Sequence, residues 1–258
     1  MIAVCPLSVV PVRKEPSDRS EMVTQLLFGD MAEVVGEEGA WRKIIVSDDG
    51  YEGWVDYKQL MPITDEEALS MNNGPDVYCD DVTCDYIHAD GTLRLIVIGS
   101  RLPAFRDGHF ILGPSVNRFN GNTVSPSKPV VEGILRQSMK YLNAPYLWGG
   151  KSPFGIDCSG FTQMVFRMNG IALPRDAWQQ ALKGLALEKE EPLQPGDLAF
   201  FCNQEGKVVH VGIVLPEGKI IHASGRVRID RLDAEGIVRQ DDGTRTHTIC
   251  GVRRFFER

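Results

Sequence analysis

The chain has 258 residues, 43% hydrophobic and 24% charged, a balance that excludes wholesale disorder and a coiled-coil rod. With 28 basic against 35 acidic side chains the net charge is −7, and no stripe of Lys and Arg offers a footprint for nucleic acid. No apolar run reaches the ~18–20 residues that span a bilayer, so no membrane partner is expected, and the length suits two domains or three small ones.

Residues 1–62 read as a small all-β unit. Short apolar runs at 7–12, 21–27, 31–35, 41–46 and 53–55 are punctuated by Gly29-Asp30, Gly36 and Asp48-Asp49-Gly50. Five short strands in so little chain predict a compact barrel. Residues 63–75 open on Thr64-x-x-Glu67, a capping-box pattern, and close on Asn72-Asn73-Gly74-Pro75, which predicts a short helical linker ending in a turn. A second β-rich unit follows over 76–125, with strands at 77–83, 93–98 and 104–112 and a polar loop at 117–127.

Residues 126–258 change character. A helical apolar pattern covers 130–142, and Phe161, Met164, Val165 and Met168 line one face of a helix that opens near Asp157 and stops at Gly170. Strand-like runs then occupy 198–201, 208–215, 219–223 and 251–256. Helices first and an antiparallel sheet afterwards predict an α+β domain.

Six cysteines are too few for a disulfide scaffold. Cys79 and Cys84 form the one close pair and lack a second pair or a nearby His to complete a zinc site, so free thiols in a reduced compartment are expected. Residues 1–12 carry Pro6 and Pro11 and no basic segment before an apolar core, which predicts a cytoplasmic protein. A leader already removed would make it a secreted one.

Cys158 stands in Gly155-Ile156-Asp157-Cys158-Ser159-Gly160, at the first turn of the predicted helix. A thiol there faces unpaired backbone N–H groups and the positive end of the helix dipole, which predicts a pKa lowered toward thiolate. Two histidines can serve it, His210 in a β-branched run and His222 in the next. If Pro216-Glu217-Gly218 is a three-residue hairpin loop with Gly218 left-handed, Leu215 pairs with Lys219 and His210 and His222 fall on one face of the sheet. The diagonal is then ~7–8 Å between Cα atoms, within imidazole reach. A two-residue loop would put the rings on opposite faces. Cys-His-His also has the composition of a zinc site, but no His-Glu-x-x-His or Cys-x-x-Cys element accompanies it, and no metal or other cofactor is expected.

Tyr146-Leu147-Trp148-Gly149-Gly150, Asp157-Cys158-Ser159-Gly160, Pro195-Gly196-Asp197-Leu198, His210-Val211-Gly212-Ile213 and Ile221-His222-Ala223 occur in that order. Together they resemble the NlpC-type bacterial cell-wall cysteine peptidases, over residues 126–258. The resemblance implies a papain-like fold with Cys158 as nucleophile, His210 as general base and His222 orienting it. It also implies Tyr146 as support for the oxyanion or substrate, with Trp148, Asp157 and Ser159 lining the substrate site. Trp41 and Gly50-Tyr51-Glu52-Gly53-Trp54-Val55 resemble bacterial SH3-like barrels, and the second β-unit resembles a diverged copy. The fold expected is therefore two small SH3-like barrels followed by a papain-like α+β peptidase domain.

That arrangement is similar to the γ-D-glutamyl-L-diamino acid endopeptidases of murein peptide recycling. The similarity implies a small murein peptide with a free N-terminal amine as substrate and no obligate protein partner. It assigns Asp176, with Glu21 and Tyr51 of the first barrel, to the substrate ammonium. Ala177 stands where the pattern has a hydroxyl residue. For Trp148 and Trp178, core packing is the default expectation. Two alternatives remain open: a secreted autolysin acting on intact wall, and a non-catalytic binding protein for wall peptides.

Overall fold

The computed structural model describes residues 1–126, 130–188 and 190–256. The chain divides into two compact units: Met1–Pro126 with Trp148–Pro153, and Ser127–Leu147 with Phe154–Arg258.

In the first unit, β1 (Ile2–Val4), β2 (Val9–Arg13), β3 (Met22–Leu27), β4 (Met31–Glu38), β5 (Trp41–Val46), β6 (Glu52–Asp56) and β7 (Met61–Ile63) form one sheet in the order β3-β2-β6-β5-β4-β1-β7. All five runs expected from the sequence are strands. β1 and β7 pair with each other, Ile2 opposite Ile63 and Val4 opposite Met61, and are too short for an alternating pattern to register. Helix α1 (Asp65–Met71) carries the expected capping box: Glu67 N donates to Thr64 Oγ1 (3.1 Å), and Thr64 N donates to Glu67 Oε2 (2.8 Å). It is more than a linker, because Ala68 and Met71 are buried in a core with Val4, Phe28, Tyr86, Phe110 and Phe119. Ala3 and Cys5 face a separate core with Val12, Leu26 and Ile44, so alternation along β1 sends neighbouring side chains to different cores.

Within residues 76–125 the expected strands are redistributed. β8 (Tyr78–Cys79) pairs with β13 (Thr123–Val124), while β9 (Thr83–Ile87), β10 (Leu93–Val97), β11 (His109–Leu112) and β12 (Ser115–Phe119) form a sheet ordered β10-β9-β12-β11. The run 77–83 breaks where the Asp81 carboxylate accepts from the backbone N–H and side-chain amide of Asn122, both at 2.7 Å. The run 104–112 is strand only at its end, because Ala104 and Asp107 have positive φ. The expected loop at 117–127 holds the end of β12 and all of β13; its last residue, Ser127, lies outside the described residues.

The second unit places α2 (Val131–Lys140), β15 (Gly155–Ile156), α3 (Cys158–Arg167) and α4 (Ala177–Gln180) before its main sheet; the short β14 (Lys151–Ser152) counts with the first unit. The sheet comprises β16 (Leu185–Ala186), β17 (Leu198–Cys202), β18 (Val208–Leu215), β19 (Lys219–Ser224), β20 (Arg226–Asp233), β21 (Gly236–Val238) and β22 (Arg245–Arg254), ordered β16-β22-β17-β18-β19-β20-β21. β21 pairs again with β22, so six strands close on themselves. Ala199, Phe201, Val214, Ile220, Leu232, Ile237 and Ile249 fill the interior. The Pro-Gly-Asp motif is structural: Asp197, fully buried, accepts from Arg254 Nε (2.8 Å), Arg254 Nη2 (2.7 Å) and Gln194 N (2.8 Å).

One cysteine expectation is overturned. Cys202 and Cys250 form a disulfide across β17 and β22, while Cys5, Cys79, Cys84 and Cys158 are free. The two partners are 48 residues apart, so no short spacing announced them; only the β17–β22 register brings them together. Among the described residues no helix is long and apolar enough to cross a membrane.

Candidate active site

Cys158 opens α3, with Asp157 as N-cap; the Asp157 carboxylate accepts from Gly160 N at 2.7 Å. This is the expected helix start. Arg175, which is 1% exposed, grips the same carboxylate through Nη1 to Oδ1 (3.0 Å) and Nη2 to Oδ2 (2.6 Å), and also donates to Ser159 Oγ (2.9 Å). Gln180 ties α4 to this turn by donating to the carbonyls of Ser159 (3.0 Å) and Pro174 (2.9 Å). Asp157 and Ser159, expected from the resemblance to line the substrate site, are thus buried with side chains engaged inside the protein. Their observed work is to fix the turn that presents Cys158. Sequence reasoning missed Arg175 and Gln180, because a buried polar side chain is recognised only from its partner.

The hairpin has the three-residue loop. Leu215 pairs with Lys219, Glu217 and Gly218 have φ of +61° and +64°, and Gly212 stands opposite His222. His210 and His222 share the face of the sheet that carries Val214 and Ile220, inside the closed strands. They meet directly: His210 Nε2 lies 2.8 Å from His222 Nδ1. Helix α3 packs on β18 and β19, and the backbone of Val211, next to His210, hydrogen-bonds the Cys158 thiol.

Two further residues join the histidines. Asp230 on β20, 2% exposed, places Oδ2 3.0 Å from His222 Nε2. It also accepts from Gln240 N (2.9 Å) and from Arg228 Nη2 (2.9 Å), and Arg228 in turn reaches Asp241 (2.7 Å). His247 on β22 stacks on His210, ring centroids 4.2 Å apart. Both were missed because Arg226–Asp233 looks like a solvated charged run and β22 begins six residues before the expected Gly251. The available signal was alternation at the end of the run, where Asp230 and Leu232 are buried on either side of the exposed Arg231.

Electrostatics correct one expectation. Burial pushes the Cys158 thiol up to about 12, with Asp157 adding to it; the N–H of Val211, Arg175 and the N–H of Ser159 oppose but do not overcome it. Helix-end stabilisation, partial charges at one turn, is smaller than the cost of desolvating a thiolate. Burial also holds His210 well below the ordinary imidazole value, with His222 and His247 adding. Burial and His222 bring His247 to about 4. The unliganded site therefore favours a neutral thiol and a neutral imidazole. Among the described residues no cluster of three or more His, Cys, Asp or Glu is arranged to hold a metal ion.

Tyr146, in the second unit, is electrostatically coupled to Cys158: burial, then Cys158 and Asp157, push its phenol up to about 12, so at neutral pH it keeps its O–H to donate. Asp176 is the half-buried N-cap of α4, its backbone N–H donating to Gln179 Oε1 at 3.2 Å. Glu21, Tyr51 and Trp148 are brought together in the first unit. Trp148 Nε1 donates to Glu21 Oε1 (2.8 Å), and a cleft of about 400 Å³ is lined by Lys14, Glu21, Val23, Tyr51 and Glu52. Gly149 allows this approach: its φ is +77°, and a Cβ there would lie 2.3 Å from the Met22 carbonyl oxygen. Lys151 N donates to Gln25 Oε1 (2.7 Å), and its buried ammonium lies 4.0 Å from Asp30, pinning the segment. Core packing, the default for the tryptophans, fails for both: Trp148 is 62% and Trp178 54% exposed.

Comparison with known proteins agrees with this arrangement. The NlpC/P60 family matches residues 143–245, and the bacterial dipeptidyl-peptidase Sh3 domain matches residues 12–60. The chain is 31% identical to a γ-D-glutamyl-L-lysine dipeptidyl-peptidase of Bacillus cereus, over 90% of this chain and 77% of that protein. Against the protein of the same name from Bacillus subtilis, identity is 33% over 90% and 81%. The crystal structure of an NlpC/P60 family protein from Bacillus cereus superposes with a TM-score of 0.84 and 25% identity, covering all of both chains. On this similarity, spread over nearly the whole sequence and joined to a cysteine at a helix start and a buried histidine pair, the chain belongs to the NlpC/P60 family.

Proposed function

We propose that the protein is a cysteine endopeptidase that hydrolyses the γ-D-glutamyl-L-diamino acid bond of small murein peptides bearing a free N-terminal L-Ala. The observation that carries this reading is the 2.8 Å His210–His222 pair on the strands that back the Cys158 helix. The names and extent of the relatives supply the substrate class. Cys158 is the nucleophile, and His210 takes the thiol proton as the S–C bond forms and the carbonyl pair moves to oxygen. The backbone N–H of Cys158 and the Tyr146 hydroxyl stabilise that oxygen. Collapse expels the diamino acid amine, which leaves with the proton from His210, and water then hydrolyses the thioester. Glu21 and Tyr51, with Trp148 orienting Glu21, bind the substrate ammonium. A carboxylate and a phenol favour an ammonium over a sugar-linked amide. Residues 76–125 act as a diverged SH3-like barrel with a packing role.

The test is mass spectrometry after incubation with L-Ala-γ-D-Glu-L-Lys, its meso-diaminopimelate counterpart and the N-acetylmuramoyl form. Cleavage of free-amine peptides alone, yielding L-Ala-D-Glu, supports the reading. Cleavage of the muramoyl form as well removes the ammonium site from it, and no cleavage of any removes the substrate class. One observation favours a second location. The Cys202–Cys250 disulfide is the chemistry of an oxidising compartment, where a secreted enzyme would meet wall peptides, whereas a recycling enzyme works in the cytoplasm.

A further inference from the structure

Asp230 has no place in the residues assigned above, yet every hydrogen bond around it points one way. A carboxylate only accepts, so the 3.0 Å contact with His222 requires the proton on His222 Nε2. With that ring carrying a single proton, its Nδ1 is a lone pair, and across the 2.8 Å contact His210 Nε2 is then the donor. The remaining nitrogen of His210, Nδ1, is left as a bare lone pair. That tautomer is the one able to take a proton from a thiol while Nε2 stays anchored.

We propose that Asp230 is a positioning residue that sets the tautomers of both histidines through this chain, with Arg228 holding the carboxylate in place. The inference rests on His210 being the base. Arg228 Nε lies 2.8 Å from Oδ2, Nη2 donates to Oδ1, and Gln240 N donates to Oδ1 again, so the carboxylate is held at both oxygens. His222 is 1% exposed and Asp230 2%, so bulk solvent does not compete for these hydrogen bonds. During the attack the proton moves from the Cys158 sulfur to His210 Nδ1 and later to the leaving amine. Asp230 gains no proton at any stage; it stabilises the imidazolium that forms one ring away.

The experiment has two arms. In wild-type protein labelled with ¹⁵N-histidine and free of substrate, two-bond ¹H–¹⁵N correlation spectra should show both His210 and His222 as Nε2–H tautomers. Any other pattern, either ring protonated at Nδ1 alone or at both nitrogens, overturns the proposal. In Asp230→Asn, whose amide can donate as well as accept, kcat should fall by at least about 10²-fold with KM within about twofold of wild type. An unchanged kcat overturns it, as does a loss carried by KM alone. Should that variant not fold, the wild-type spectra still decide. The spectra need no substrate, so an enzyme that cuts none of the peptides tested loses its substrate assignment while the tautomer result stands, and the variant is then read by the alkylation rate of Cys158 with iodoacetamide.

Discussion

Gly212 stands directly across the β18–β19 ladder from His222, and a Cβ on Gly212 would lie 2.9 Å from the Cβ of His222 and 2.8 Å from Ile220 Cδ1. The glycine in the His210-Val211-Gly212 motif therefore serves the second histidine: it clears the space His222 occupies while reaching His210. Gly212→Ala should cost ~1–3 kcal/mol by overpacking and displace the His222 ring. A displacement of even ~1 Å at a catalytic relay can cost on the order of 10² in rate. Steady-state kinetics beside urea unfolding separate the two effects; an active, normally stable Gly212→Ala enzyme would show that His222 has room to spare.

Acid should impair both activity and stability. His210 titrates well below the ordinary imidazole value in the folded protein, so it stays neutral and able to accept a proton through neutral pH. The acid limb of kcat/KM should fall below the usual imidazole range near 6.5, not at it. Because the unfolded chain protonates this histidine first, the stability it contributes is present above pH ~6.5 and is lost as pH falls toward the folded value. The Cys158 thiol, raised to about 12, works in the opposite sense: its contribution is full below its unfolded value near 9 and is lost as pH rises toward 12. Iodoacetamide should thus label the unliganded enzyme slowly at pH 7 and faster above pH 9. Rapid labelling at pH 6–7 would mean that a thiolate–imidazolium pair forms without substrate.

Arg175 and Asp157 form a buried two-pronged pair, and removing one member leaves the other's charge stranded. Arg175→Met should destabilise the second unit by roughly 3–5 kcal/mol. Adding Asp157→Asn should recover part of that, since no unpaired charge then remains. The comparison is made by urea denaturation; a double variant no more stable than Arg175→Met would mean that the arginine acts through packing alone.

Much of this site was legible in the sequence because it depends on short-range rules. The Asp157 N-cap, the loop of Pro216-Glu217-Gly218 and the Leu215–Lys219 pairing follow from local turn chemistry, and they carry Cys158, His210 and His222 with them. What stayed hidden depends on pairings distant in sequence. Asp230 looks like one charge among many until β20 pairs with β19, and His247 acquires its partner only when β22 closes the strands. Burial is equally non-local, which is why the dipole argument for a thiolate at Cys158 met a larger desolvation cost. In the second β-unit the strands were misplaced where polar side chains, above all Asp81 with Asn122, interrupt them.

The Cys202–Cys250 bridge closes a 48-residue loop that contains both β18 and β19, and hence both histidines. By the chain-entropy relation its loss should cost roughly 4 kcal/mol at most. Denaturation with and without dithiothreitol measures that cost. Alkylation of the denatured, unreduced protein followed by mass spectrometry should find four modified cysteines. Six would show that the bridge is not formed in the compartment where the protein is made.

Lys14 places its ammonium 3.7 Å from Glu21 Oε2, while Trp148 Nε1 holds Oε1 of the same carboxylate at 2.8 Å. The two neighbours act in opposite senses on a substrate amine. Lys14 supplies a competing cation from within the cleft, and Trp148 fixes the carboxylate without neutralising it. Lys14→Met keeps much of the aliphatic stem and removes the competitor, so KM for a free-amine peptide should fall about two- to fivefold, in line with a solvent-exposed ion pair. Trp148→Phe loses the hydrogen bond and should raise KM, with kcat little changed in both variants because neither group touches the reacting atoms. Opposite shifts in KM support Glu21 as the ammonium partner. A Lys14→Met enzyme with raised KM would instead make the lysine part of the substrate site, paired with an acidic group of the peptide.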